Sequence, residues 1–242
     1  MTDNIRWYMR QLHDDGADDR NKGFCVHCGA AGETRDHCPS RVFLDEPFPE
    51  NLPHSPACLG CNSSASKDEE YLACLLECVM VGDVIPSMVH REKIANCLRR
   101  SPALVESLRQ ARNELNGQVR WTYDDHRVRA VIMKLARGHV AYELSEPRID
   151  EPSSIWFKPL CEMSDKECEF FEHGEDGVSH AIWPEVGSRA MQRILVTGIG
   201  VAVEDEWLLV QAGRYRYQVS WGGQAKVKIV IREYLACEVT WE

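Results

Sequence analysis

The chain has 242 residues, 44% of them hydrophobic and 27% charged, with a formal net charge of −10. That length suits one large domain or two small ones and can bury a sizeable core, so the fold need not depend wholly on a metal. No apolar run of about 18 residues exists to form a transmembrane helix. Eleven cysteines, an odd number, exclude a disulfide framework that uses them all.

Residues 1–22 read as a short helix followed by the polar stretch Asp14-Asp15-Gly16-Ala17-Asp18-Asp19. They lack the apolar core of a secretory signal, and the cysteine usage fits a reducing compartment, so the cytoplasm is the expected location. Residues 23–80 begin with a segment rich in Cys, Gly, Pro and Ser that has little helical periodicity. Loops and short strands held by a metal are expected there. A helix is expected to begin between Asn62 and Lys67 and to run through Cys78, with Leu72, Leu75, Leu76 and Val79 at helical spacing.

Residues 81–148 form a basic helical region. One or two helices are expected over 87–116, one of them starting at Ser101-Pro102 with serine as cap and proline at the first helical position. Another is expected over 127–144, with Val128, Val131, Ile132, Leu135 and Tyr142 on one face and Gly138 as a weak point. Residues 149–242 are acidic and strand-like, with one helical candidate at 186–195. In the clearest hairpin, Tyr215, Tyr217, Val219 and Trp221 alternate with Arg214, Arg216, Gln218 and Ser220. A three-residue loop at Gly222-Gly223-Gln224 places Val227 opposite Val219, Ile229 opposite Tyr217 and Ile231 opposite Tyr215. A two-residue turn would oppose lysines to apolar residues. The first register gathers one apolar face and is the one predicted. The expected class is therefore α+β: a small zinc-stabilised module, a helical middle and an antiparallel β-rich C-terminal region.

The chemistry concentrates in residues 25–62. Cys25-x-x-Cys28 and Cys58-x-x-Cys61 present four thiols in two pairs, the pattern of a structural zinc site. The 29 residues between Cys28 and Cys58 leave room for a functional loop. Within and beside it stand Asp36-His37, Asn51 and Asn62. Asp36 and Asn62 offer oxygens to a hard divalent ion, and His37 can take a proton from water near neutrality. Adjacent strand residues point to opposite faces, so Asp36 and His37 share a site only where the strand ends or twists. Lys67, Asp68, Glu69 and Glu70 read as a solvated helix face. The remaining cysteines read as core thiols and the remaining histidines as structural or surface groups, with His27 and His54 nearest the site.

The run Cys25-x-x-Cys28, Thr34-x-Asp36-His37-x-Pro39, Asn51, Cys58-x-x-Cys61-Asn62 resembles the HNH endonucleases of the ββα-metal, or His-Me finger, superfamily, in the form that carries a zinc knuckle. The resemblance covers residues 23–70, with Asn62 where the founding pattern has histidine. It implies a hydrolase acting on DNA, with structural Zn²⁺, catalytic Mg²⁺ or Mn²⁺ held by Asp36 and Asn62, and His37 as general base. Asn51 would tie the loop and aim the base, and the products would carry a 5′ phosphate and a 3′ hydroxyl. A role in bacterial defence against phage is an expectation by analogy.

Charge is segregated. Residues 1–86 carry 7 Lys/Arg against 15 Asp/Glu, residues 87–148 carry 12 against 7, and residues 149–242 carry 9 against 16. Arg35 and Arg41 in the module, and Arg127, Lys134 and Arg137 beyond it, are the expected phosphate contacts. Nothing encodes base readout, so binding without strong sequence specificity is expected, with a homodimer or partner protein where both strands are cut. The residues leave two other readings open: a non-catalytic zinc-organised binding or adaptor module, and a nuclease or toxin directed at RNA.

Overall fold

A computed structural model describes residues 23–49, 52–115, 117–173, 188–189, 191, 207–220 and 224–242. The N-terminal helix, Asn51 and nearly all of the 186–195 helical candidate lie outside these residues. The chain forms two compact units, residues 1–64 with 132–242, and residues 65–131. Their boundaries fall at Ser64/Ala65 and Val131/Ile132 rather than at the composition changes near 80 and 148.

In the first unit, strands β1 (Thr34–His37) and β2 (His54–Ala57) pair antiparallel, from Thr34 opposite Ala57 to His37 opposite His54. Helix α1 (Leu59–Ser64) follows directly. The hairpin rests on the C-terminal half of a long helix that begins in the other unit. Ser55 Oγ donates to the Gly138 carbonyl at 3.0 Å, and Cys38 Sγ lies where a side chain at Gly138 would start. A Cβ built at Gly138 would stand 1.8 Å from that sulfur. Alanine ordinarily gains up to about 1 kcal/mol over glycine inside a helix. Here the clash reverses the sign: Gly138→Ala is expected to lower stability by about 1–3 kcal/mol. Urea denaturation checks this, and adding Cys38→Ala should restore most of the loss.

Strands β5 (Ser154–Pro159), β6 (Leu208–Gln211), β7 (Tyr215–Ser220), β8 (Ala225–Ile231) and β9 (Leu235–Trp241) form one antiparallel sheet in the order β5-β9-β8-β7-β6. The predicted register is found, with Tyr215 opposite Ile231, Tyr217 opposite Ile229 and Val219 opposite Val227. Lys228 and Arg216 do not present a polar face to solvent. Helix Asp165–His173, in a region read as strands, covers them: Lys228 Nζ donates to the Phe171 carbonyl at 2.8 Å, and Arg216 pairs with Glu172 at 2.7 Å. Phe171, Trp156, Leu160, Met163 and Trp207 pack there on Val230 and Ala236.

Tyr215 and Tyr217 face His139. Its ring stacks on Tyr217 at 3.8 Å, and its Nε2 meets the Tyr215 hydroxyl at 2.7 Å. Complete burial holds this imidazole neutral, down to about 3 from the ordinary 6.5. The unfolded chain binds a proton below about pH 6.5 that the folded chain refuses, so stability is full above that pH and falls as pH drops toward 3. A slope of up to about 1.4 kcal/mol per pH unit is expected between pH 6 and 4, and His139→Leu should flatten it in denaturant titrations.

The second unit holds α2 (Ser66–Val81), α3 (Glu92–Arg100), α4 (Pro102–Ala111) and the hairpin β3 (Arg112–Leu115) with β4 (Gln118–Trp121). The long helix is α5 (Asp125–Leu144), whose residues through Val131 belong here. The helix Asp165–His173 is then α6. Gly82, with φ of +74°, ends α2 in the left-handed region. Ser101 and Pro102 take the expected cap and first helical positions, although the serine hydroxyl makes no capping bond. The β3–β4 hairpin replaces the end of the helical region expected through 116.

Candidate metal centre and hairpin site

Two turns present the four sulfurs. In the first, Gly29 adopts φ of +77° and its N–H donates to the Cys25 carbonyl at 2.8 Å. Val26 N–H donates to the Pro56 carbonyl at 3.0 Å, which ties this turn to β2. The second turn starts where β2 ends and carries Cys58 and Cys61 into α1. Backbone N–H groups point at sulfur in both: His27 N–H at Cys25 Sγ (3.4 Å) and Cys61 N–H at Cys58 Sγ (3.3 Å). The hydrogen bonds from Cys61, backbone first, bring the Cys58 thiol down to about 7.

All four sulfurs lie within 4.8 Å of one another. A tetrahedral zinc with Zn–S bonds near 2.3 Å needs sulfur pairs about 3.8 Å apart. Cys28 Sγ and Cys58 Sγ are 3.7 Å apart. The cluster can hold one zinc ion. Among the other cysteines, Cys38, Cys74, Cys78 and Cys237 are buried, Cys97 and Cys168 are half-buried, and Cys161 is exposed.

The hairpin above the cluster carries the remaining candidates. Its ladder is regular through His37, so side chains alternate. Arg35 and His37 occupy one face, exposed and half-buried respectively, while Asp36 points inward and is 3% exposed. The His37 ring lies edge-on to its cross-strand neighbour His54, with centroids 6.2 Å apart. Desolvation pulls its pKa below the ordinary histidine value. The Arg41 guanidinium adds to that effect, while Asp36 and the Pro53 carbonyl oppose it. Its Nδ1 is buried.

Asp36 is held from two sides. His27 Nε2 lies 2.8 Å from Oδ2 and Lys134 Nζ lies 3.0 Å from Oδ1. Asn62 Nδ2 donates to Thr34 Oγ1 at 3.0 Å and more weakly to the Arg35 carbonyl at 3.4 Å, which fastens α1 to β1. One carboxylate and one amide carbonyl are the right donors for a hard cation such as Mg²⁺. Both carboxylate oxygens are already engaged by nitrogen, and Asp36 lies on the opposite face of β1 from His37, so the strand does not twist to bring the two onto one open face.

Of the expected phosphate contacts, Arg35 and Arg41 are exposed, and Arg41 lies over the Phe48 ring at 5.4 Å. The others are held within the chain. Arg127 pairs with Asp68 at 2.6 Å, donates to the Lys67 carbonyl and lies over Tyr71. Arg137 donates to the carbonyls of Ile149 (2.7 Å) and Asp150 (3.0 Å). Lys134 is buried on Asp36. Glu69 is also buried, and Asp68 is taken up by Arg127, so neither belongs to a solvated face.

His27 and Lys134 are the residues whose roles sequence reasoning did not find. His27 lies inside the first cysteine pair, a position that hinted at involvement. Lys134 stands 98 positions from Asp36, and no local pattern links them. Compared with protein-family models, with curated proteins and with solved structures, the chain shows no match.

Proposed function

We propose that this chain is an HNH-type endonuclease that hydrolyses DNA phosphodiester bonds, with His37 as general base. The observation that carries the reading is the strand–strand–helix unit closed by four cysteines, with His37 at the end of the first strand. Arg35 shares its face and Arg41 lies near enough to act on its charge. A neutral imidazole there takes a proton from water, and the resulting hydroxide attacks phosphorus. The bond from phosphorus to the 3′ oxygen breaks, and that oxygen takes up a proton. Asp36 and Asn62 would hold Mg²⁺ or Mn²⁺, which when bound stabilises negative charge on the scissile phosphate. Arg35 and Arg41 would grip the backbone without reading bases.

A second reading, a zinc-organised nucleic-acid-binding module without catalysis, is favoured by one observation. Both Asp36 oxygens are engaged by His27 and Lys134. Incubating the zinc-loaded chain with supercoiled plasmid, and separately with single-stranded RNA, in Mg²⁺ or Mn²⁺ over a range of salt separates the readings. Plasmid nicking is expected. Binding without cleavage supports the second reading, and cleavage confined to RNA overturns the choice of substrate.

A further inference from the structure

The face of the β1–β2 hairpin that carries His37 carries a second imidazole, His54, directly across the ladder. Cys38 N–H donates to the Pro53 carbonyl at 2.8 Å, so the neighbouring pair His37–His54 falls at a non-hydrogen-bonded position, where facing side chains come closest. The rings meet edge-on, with centroids 6.2 Å apart and planes at 73°. Both residues are half-buried, so neither is sealed in the core. Arg35 lies two residues along the same strand face, and Arg41 is close enough to act on the charge of His37. Asp36, the one carboxylate on these two strands, points the other way and is taken up by His27 and Lys134.

Two imidazoles flanked by guanidinium groups are poor donors for a hard divalent ion and good partners for proton transfer. Displacement at phosphorus brings the nucleophile in on one side and sends the leaving oxygen out on the other. A base and an acid that each reach one of these oxygens at about 2.6–3.2 Å stand roughly 5–8 Å apart. The separation of the His37 and His54 rings fits that span. Desolvation, then Arg41, favours the neutral form of His37, which suits it to be the base. RNA carries its own nucleophile, the 2′-OH beside each phosphate, and attack from within the substrate gains a large effective concentration without metal-bound water. DNA lacks that hydroxyl.

We propose that this face cleaves RNA without a divalent ion, with His37 as general base and His54 as general acid. His37 takes the proton of the 2′-OH, and the 2′ oxygen forms a bond to phosphorus. The bond from phosphorus to the 5′ oxygen breaks as protonated His54 gives its proton to that oxygen. The products are a 2′,3′-cyclic phosphate and a 5′-OH, and the two imidazoles then exchange protons with water to restore the starting state. Arg35 and Arg41 offset the charge that builds on the phosphoryl oxygens. This activity rests on the nuclease reading for its base, His37, and dispenses with the divalent ion and the attacking water.

The test incubates zinc-loaded protein with a labelled single-stranded RNA oligonucleotide in buffer stripped of divalent ions by chelating resin. Zinc is assayed afterwards to show that the cysteine cluster is still loaded. Cleavage is expected, with cyclic phosphate and 5′-OH ends found by mass spectrometry, while the same RNA carrying 2′-O-methyl groups stays intact. His37→Ala and His54→Ala, purified identically, should each lose at least about 100-fold. Circular dichroism and zinc content are compared across the variants, and His54→Asn stands in where alanine perturbs the fold. An RNA linkage with sulfur in place of the bridging 5′ oxygen separates an acid from a merely structural imidazole, because a thiolate leaves without a proton. The His54 variant should cleave that linkage within about threefold of wild type, while His37→Ala stays impaired. Intact RNA in the ion-free buffer, cleavage of the 2′-O-methyl RNA, or a His54 defect that sulfur does not rescue overturns the proposal. Plasmid nicking in Mg²⁺ beside intact RNA overturns it and leaves the nuclease reading standing, whereas ion-free RNA cleavage without plasmid nicking supports it and overturns the DNA substrate.

Discussion

His37→Ala is expected to reduce plasmid nicking by about 10²–10⁴-fold, the range that loss of a general base ordinarily costs. Zinc content and thermal stability should stay near wild-type values, because the imidazole is only half-buried and is not one of the four clustered ligands. The substitution removes the proposed proton acceptor while the cysteine cluster, the Asn62–Thr34 bond and the β1–β2 ladder remain. DNA binding, measured by a gel shift in Ca²⁺, should change less than about threefold, since the proposed nuclease would make its phosphate contacts through Arg35 and Arg41. Loss of zinc or of cooperative unfolding in this variant would assign the ring to the fold. Undiminished cleavage would remove it from the chemistry.

Cys58→Ser is expected to have the largest effect on stability. Cys58 follows the last residue of β2 and precedes α1, so its sulfur joins the second turn to the first. Residues 23–33 have little regular pairing of their own, with a single bridge between Phe24 and Ala31. Cys25 and Val26 are nevertheless fully buried, which requires something other than a ladder to hold the turn in place. A zinc ion on the four sulfurs would do that, and metal binding to such a site is itself folding free energy. The five-stranded sheet has its own apolar contacts, so loss of the ion should cost only part of the total. About 3–5 kcal/mol is expected, which for a chain of this size lowers Tm by roughly 10 °C. Differential scanning calorimetry with metal analysis checks both figures. Far-ultraviolet circular dichroism should retain the strand signal of β5–β9.

What could be read from the sequence and what could not divides along physical lines. The cysteine pairs were legible because zinc demands short, fixed spacings within each pair, and tetrahedral geometry then joins the pairs whatever lies between them. The β7–β8 register was legible because strand periodicity allows one pairing that keeps Tyr215, Tyr217, Val227 and Ile229 together. Helix α5 was legible from its apolar face. The environment of Asp36 was not legible, since Lys134 reaches it only through tertiary packing. The same holds for Gly138, which as a sequence feature is a weak point in a helix and in the fold is the space Cys38 needs. Helix α6 was missed because Asp165–His173 has one strongly buried side chain, Phe171, too little to set a period. That helix also engages Lys228 at the Phe171 carbonyl and Arg216 at Glu172.

Zinc-edge X-ray absorption on the purified wild-type chain tests the organising centre most directly. The predicted result is one zinc per chain with four sulfur neighbours at about 2.3 Å and no nitrogen. A shell in which His27 replaces a cysteine, or metal-free protein that unfolds at the same temperature as the zinc-loaded form, would contradict it.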